Sequence, residues 1–299
     1  MKKAESEVDK TLNTISKANQ KALDTSLILP FSSDYQFCTN GVYFYVGKMG
    51  SGKTYGVIRH VMITDKMIPG GYYDNIVVSS TSGGMDKTVQ TFMSQCKAPI
   101  TGVDDVQLMA YLTRNVKQKA KYYAIMELVN SELQHVNQDM EAIIKKHHLR
   151  KPDGKFDLRK LTAYILHKLA KYPFSRYPSN TLLILDDYGG HRLLNKPDSP
   201  LANFITKVRH YNYTVIIMCQ TWRHICLNLK RLCTDFVIFQ GYSEDDFVTV
   251  IRQSGATGNW RDLWNEYKNL ISPRSYMALH IVGGSVEFKN IEWGKRTLL

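Results

Sequence analysis

Gly47-Lys48-Met49-Gly50-Ser51-Gly52-Lys53-Thr54 matches G-x-x-x-x-G-K-[ST] at every fixed position. The chemistry this spacing serves is phosphate binding. Gly47, Gly50 and Gly52 let backbone N–H groups curl around an anion, with Ser51 in the same loop, and the helix N-terminus adds partial positive charge. Lys53 is placed to reach the β- and γ-phosphates, and the Thr54 hydroxyl to ligate Mg²⁺, with Tyr55 next in line. A second group lies far along the chain, where Thr181-Leu182-Leu183-Ile184-Leu185 runs into Asp186-Asp187. An apolar run ending in acids delivers carboxylates to the C-terminal edge of a sheet, where ligands of α/β proteins bind. Asp186 is expected to hold Mg²⁺ through its water shell, and Asp187 to polarise the attacking water.

A third element follows. Thr214 to Cys219 reads as a core strand ending in Gln220-Thr221. A polar amide there can read the γ-phosphate or the water and pass on the state of the nucleotide. Arg209 stands eleven residues before Gln220, at the end of an expected helix from Leu201 to His210, and can project towards an adjacent subunit.

The elements that must position these groups are legible in part. Val42-Tyr43-Phe44-Tyr45-Val46 is a β-branched and aromatic run, a buried strand leading into the phosphate loop. A helix follows to about Lys66. Asn75 to Ser80 and Asp235 to Phe239 read as further strands, and helical patterns between the strands give the rhythm of a parallel sheet. Tyr276 to Val282 and Ser285 to Trp293 flank Gly283-Gly284 and predict a β-hairpin. Residues 103–172 read as helical, with breaks at Lys151-Pro152-Asp153-Gly154 and Tyr172-Pro173. That is more chain than a crossover needs, so it is expected to be an inserted helical subdomain. Residues 1–24 carry a weak helical stripe of Val8, Leu12, Ile15, Ala22 and Leu23. The expected organisation is a helical arm (1–30), a core (31–102 and 173–299) with the hairpin at its end, and the insertion (103–172).

Composition bounds the partners. The chain has 299 residues, 43% of them apolar, which is ordinary for a globular protein with a buried core. Its net charge of +12 favours a polyanion, either nucleic acid or an anionic surface. The five cysteines are odd in number and none has CxxC spacing, which points to free thiols in a reducing compartment. No apolar h-region follows Met1-Lys2-Lys3, so a secretory signal is not expected, and no apolar run is long enough for a transmembrane segment.

Gly47 to Thr54, the strand into Asp186-Asp187, Val208 to Asn212, and Gln220-Thr221 together resemble the FtsK–HerA superfamily of P-loop motor ATPases. More narrowly they resemble the poxvirus-type genome-packaging ATPases of large DNA viruses, virophages and related elements. The segment Asn228 to Arg231 and its following strand add weaker support, and the resemblance covers roughly residues 40–242. It implies a RecA-like (ASCE) α/β core, mainly parallel, in a homo-oligomeric ring, pentamer or hexamer, around double-stranded DNA. It further implies ATP with Mg²⁺ as cofactors, capsid vertex proteins as partners, and a place in the virion or the host-cell cytoplasm. Lys53, Asp187, Gln220 and Arg209 become the catalytic set, with Arg209 as a finger acting on a neighbour and Arg223 or Arg231 as alternatives. One departure stands out: the superfamily usually has Glu where this chain has Asp187, which draws the carboxylate back by about one bond. In a ring motor the loops at the strand tips face the lumen, which makes Arg192 and Arg223 the candidates for DNA contact. Two other classes share the phosphate loop. A nucleoside or small-molecule kinase would need a lid and an acceptor pocket, neither of which is evident, and a basic scaffold would use ATP only to assemble.

Overall fold

The structure is a computed structural model. It describes residues 29–30, 36–37, 40–67, 71–81, 96–130, 136–172, 174, 178–254, 259–269, 276–282 and 285–291. The expected N-terminal helix over residues 1–24 lies outside them. The chain divides into two compact units, with residues 110–179 in one and residues 27–109 and 180–299 in the other.

The larger unit is built on a sheet. A small antiparallel pair, β1 (Leu29–Pro30) and β2 (Gln36–Phe37), precedes it. The sheet strands are β3 (Val42–Val46), β4 (Asn75–Ser80), β5 (Ile100–Gly102), β6 (Thr181–Asp186), β7 (Tyr213–Cys219), β8 (Asp235–Phe239), β9 (Tyr276–Val282) and β10 (Ser285–Ile291). Their spatial order is β10-β9-β8-β3-β7-β6-β4-β5. The strands from β8 through β5 are parallel neighbours, and β9 and β10 add an antiparallel hairpin at one side. The described helices of this unit are α1 (Lys53–Met67), the start of α2 (Asp105–Asn130), and those at Arg192–Asn195, Pro200–Ile205, Leu227–Arg231, Glu244–Ser254 and Trp260–Lys268.

Residues of β3 are buried on both faces, which is why its sequence is a continuous apolar run rather than an alternation. Tyr43 and Tyr45 point into one core with Val57 and Val61 of α1 and with Ile76, Val78, Leu182, Ile184, Ile216 and Phe239. On the other face Phe44 stacks on Phe236 at 5.7 Å and meets the Trp222 ring edge-on at 4.9 Å. Because β3, β6, β7 and β8 run parallel and in register, with Val46 opposite Cys219 and Leu185 opposite Ile217, their C-terminal tips share one edge. The phosphate-loop strand β3 and the aspartate strand β6 are not neighbours, since β7 lies between them. Two strand spacings set their tips about 10 Å apart, a gap wide enough for a phosphate chain.

The smaller unit is helical. It holds most of α2, then α3 (Gln138–Lys146) and α4 (Leu158–Leu169), around a core of Tyr122, Ile125, Met126, Met140, Ile144, Leu161 and Ile165. Between α3 and α4 the chain makes a short antiparallel ribbon closed by an Arg150–Phe156 bridge, where the sequence suggested only a break.

Candidate functional site

The phosphate loop occupies the tip of β3. Gly50 and Gly52 have φ of 75° and 102°, a left-handed backbone that side chains resist, and this curls the loop. Gly47 leaves no room for a Cβ, which would fall 2.5 Å from Ser51 Oγ and 2.8 Å from Phe239 Cβ. The loop is pinned to the sheet where Gly47 N donates to the Cys219 carbonyl at 3.2 Å, and Ser51 N donates back to Lys48 O at 3.2 Å. The first turn of α1 carries no acid, so its positive end is left for an anion.

Lys53 folds back over this cradle. Its Nζ donates to Gly47 O at 2.7 Å and Lys48 O at 2.9 Å. Burial lowers its pKa, while the fields of Cys219, Asp186 and Asp187 push it up. The lysine therefore lies within electrostatic reach of Asp186 at the end of β6 and of Asp187 just beyond it, and the parallel register brings the two separated motifs to one sheet edge. The Ser51 hydroxyl is buried with no hydrogen-bond partner among the described residues. An orphan hydroxyl inside a glycine loop, beside a half-buried ammonium, fits a phosphate oxygen. The Thr54 hydroxyl and the Asp186 carboxylate are hard oxygen donors of the kind Mg²⁺ takes beside nucleotide phosphates and water. Thr54 and Tyr55 open α1 and are half-buried.

Asp187 follows Asp186 with φ 58° and ψ 31°, a left-handed turn that re-aims the chain at the strand end. Gln220 Nε2 donates to its Oδ1 at 3.1 Å, so the glutamine and the second aspartate are direct partners. Three further contacts surround this pair. Thr81 Oγ1, from the residue after β4, donates to Asp187 O at 3.2 Å. Tyr242 OH donates to Gln220 O at 2.8 Å. Tyr188 OH and Ser79 Oγ hydrogen-bond at 2.7 Å in the interior beneath the turn. The signal for Thr81 was its place at the tip of the strand beside β6; Tyr242, three residues past β8, gave none. Gly189 is required here, because a Cβ would come 2.9 Å from Cys219 Cβ. A cavity of about 280 Å³ opens beside the loop, lined by Lys48, Met49, Gln220, Tyr242 and Asp246 among others.

The candidate arginines lie apart. Arg209 sits exposed in a 3-10 turn (Val208–Tyr211) before β7, at the edge opposite the phosphate loop. The expected helix to His210 is shorter: α-helical structure ends at Ile205, and Asn212 turns left-handed (φ 51°) to enter the strand. Arg192 is exposed at the start of a four-residue helix beyond β6. Arg223 is two-thirds exposed and its Nη2 is engaged by Asp246 Oδ1 at 3.0 Å. Arg231 is exposed. Among the described residues no helix is long and apolar enough to cross a membrane, and Cys219, Cys226 and Cys233 are free thiols.

A parallel sheet with one strand between the phosphate-loop strand and the aspartate strand, and with both motifs at one edge, defines a RecA-like P-loop NTPase core. Residues 110–291 match the model of the Poxvirus A32 protein family, so the chain belongs to that family. The matched segment includes Asp186, Asp187, Arg209 and Gln220 but not the phosphate loop. The chain is 32% identical over 101 residues to the DNA packaging protein OPG160 of Vaccinia virus (strain Copenhagen), an alignment covering 34% of this chain and 36% of that protein. The Monkeypox virus protein of the same name gives 32% over 101 residues, covering 34% and 32%. The similarity thus spans about a third of these relatives' length. Similar solved structures include the genome packaging NTPase B204 from Sulfolobus turreted icosahedral virus 2 with ATP-gammaS, at TM-score 0.45, 11% identity and coverage of 83% and 96%. EssC (ATPases 2 and 3) from Geobacillus thermodenitrificans gives TM-score 0.47 at 9% identity, covering 87% and 42%.

Proposed function

We propose that this protein is an ATPase that translocates double-stranded DNA into a viral capsid, acting as a ring of identical subunits at the site of virus assembly. The observation that carries this reading is the meeting of Lys53, Asp186, Asp187 and Gln220 at one sheet edge. Family membership, and relatives named as DNA packaging proteins, support the choice of DNA as the substrate.

In this reading the γ-phosphate displaces the Lys53 ammonium from Gly47 O and Lys48 O, and the lysine turns to the phosphate oxygens. The loop N–H groups and the Ser51 hydroxyl take the remaining oxygens. Thr54 and Asp186 would hold Mg²⁺, which would supply positive charge against the phosphates. Asp187 accepts a hydrogen bond from the attacking water and orients it. Gln220, already bonded to Asp187, senses whether phosphate is present, and Tyr242 ties its backbone to the loop after β8. Arg209 completes a neighbour's site, not its own. Arg192 and Arg223 are the lumen-facing candidates for DNA, and the capsid vertex supplies a docking partner.

The test is Lys53→Ala. DNA-stimulated release of phosphate from ATP is expected to fall to background while the variant keeps its fold. Hydrolysis that survives the substitution contradicts the site. Transfer of phosphate to a nucleoside instead of water would replace the motor with a kinase.

A further inference from the structure

We propose that the helical unit is itself a DNA-contacting module, which grips the phosphate backbone of duplex DNA with the basic ribbon between α3 and α4 and the first turn of α4. This rests on the translocase reading for its ligand and adds a surface that the strand-tip loops do not supply.

Charge is concentrated in this unit. Residues 110–179 contain 14 Lys and Arg against 6 Asp and Glu, a net +8 of the chain's +12. Seven of those cations fall within 145–160: Lys145, Lys146, Arg150, Lys151, Lys155, Arg159 and Lys160, and all are exposed. Their placement works against local stability. In the ribbon, Lys151 N donates to Lys155 O at 2.8 Å, and the Arg150–Phe156 bridge sets the register. Lys151 and Lys155 therefore stand directly opposite each other on one face, where like charges repel. Arg159 and Lys160 occupy the first turn of α4, the positive end of the helix, which disfavours cations. In α3 the order is the ordinary one, with Asp139 and Glu141 first and Lys145 and Lys146 last.

The acids nearby are already committed. Asp153 Oδ1 accepts from Lys155 N at 3.0 Å and Asp157 Oδ1 caps Lys160 N at 3.3 Å. Arg150 is used internally, against the Phe156 ring at 4.7 Å and towards Glu141 at 3.7 Å. Lys151, Lys155, Arg159 and Lys160 make no ion pair among the described residues. Cations set where the fold gains nothing from them are explained by an external anion. A two-stranded ribbon is narrow enough to enter a DNA major groove. Its tip, Pro152-Asp153-Gly154, carries no large apolar anchor, and Leu158 is the one large apolar side chain exposed in the first turn of α4, less than membrane-surface elements insert, so nucleic acid is the favoured polyanion.

The experiment uses the full chain, with Lys151, Lys155, Arg159 and Lys160 each changed to Gln. Binding of a fluorescent duplex is followed from about 50 to 200 mM salt. The slope of log K against log salt is expected to lessen by about 0.9 for each DNA phosphate that the variant no longer neutralises, with affinity down on the order of ten-fold or more. Basal ATP hydrolysis without DNA stays at the wild-type rate, which reports that the sheet unit is folded, and an unchanged circular dichroism melt reports the same of the helical unit. A companion with Lys151, Lys155 and Lys160 changed to Arg keeps the charge and retains binding. If the wild type binds duplex and the Gln variant binds it with the same slope and affinity, the proposal falls and the translocase reading stands. If the wild type does not bind duplex even at low salt, both fall. If the substitutions abolish binding to phosphatidylserine vesicles but not to duplex, the surface is a membrane contact and the proposal is overturned.

Discussion

Replacing Arg209 by Ala tests whether sites are shared between subunits. Arg209 precedes β7 and Gln220 follows it, so the seven residues Tyr213–Cys219 separate them. At about 3.3 Å per residue that is about 23 Å of extended strand, far beyond the reach of an arginine side chain. The guanidinium cannot serve the phosphate site of its own chain, and the proposed role is therefore in a neighbour's site. Arg209→Ala alone is expected to lower turnover by about 10³–10⁵-fold, the range over which arginine fingers act. The discriminating assay mixes Arg209→Ala chains with Lys53→Ala chains, each inactive alone, after dissociation and reassembly. An interface is competent when an intact Lys53 meets a neighbour's intact Arg209, so random equal mixing restores about a quarter of the sites in a closed ring. ATP turnover well above the sum of the two variants bears the argument out. A mixture no more active than its parts, assembled to normal size, refutes it.

Two further outcomes concern the core. His60 is buried, its ring 3.2 Å from the Tyr73 hydroxyl, and burial lowers its pKa from 6.5 to about 3. The unfolded chain then binds the extra proton, so the stability of the neutral imidazole is complete above about pH 6.5 and is lost as pH falls towards about 3. At pH 5 the loss is about 2 kcal/mol. Urea unfolding at pH 7 and pH 5 should show this drop in wild type and not in His60→Phe; equal slopes for both proteins would contradict it. Gly189→Ala presses a Cβ to 2.9 Å from Cys219 Cβ and 3.1 Å from Thr221 O, whereas Gly190→Ala meets nothing within 4 Å. The first should cost about 1–3 kcal/mol and the second little, read as a difference in melting temperature; the reverse order would overturn the close-approach account.

What the sequence made legible follows from burial. Strands β3, β6, β7 and β8 are covered on both faces, so each is an unbroken apolar run that stands out from its surroundings. The glycine loop and the paired aspartates sit at the ends of such runs, and parallel strands then oblige them to share an edge. Strand order is another matter. Nothing local says that β7 intervenes between β3 and β6, since that depends on which crossovers pack where. Three-residue β5 has no periodicity to detect. The Arg150–Phe156 ribbon hides in a Lys-Pro-Asp-Gly break because a hairpin that short is fixed by its turn and not by an apolar pattern. The Gln220–Asp187 and Tyr242–Gln220 hydrogen bonds join residues 33 and 22 positions apart, and only the folded sheet brings them within reach.

The central claim is that Lys53 and Asp186 serve one metal-bound triphosphate. Calorimetric titration of a non-hydrolysable ATP analogue with Mg²⁺ into wild type, Lys53→Ala, Asp186→Ala and the double variant tests it most directly. The account predicts that the two losses overlap, so the double variant binds little worse than the poorer single one. Losses that simply add, or a Lys53→Ala protein that binds the nucleotide as wild type does, would contradict it.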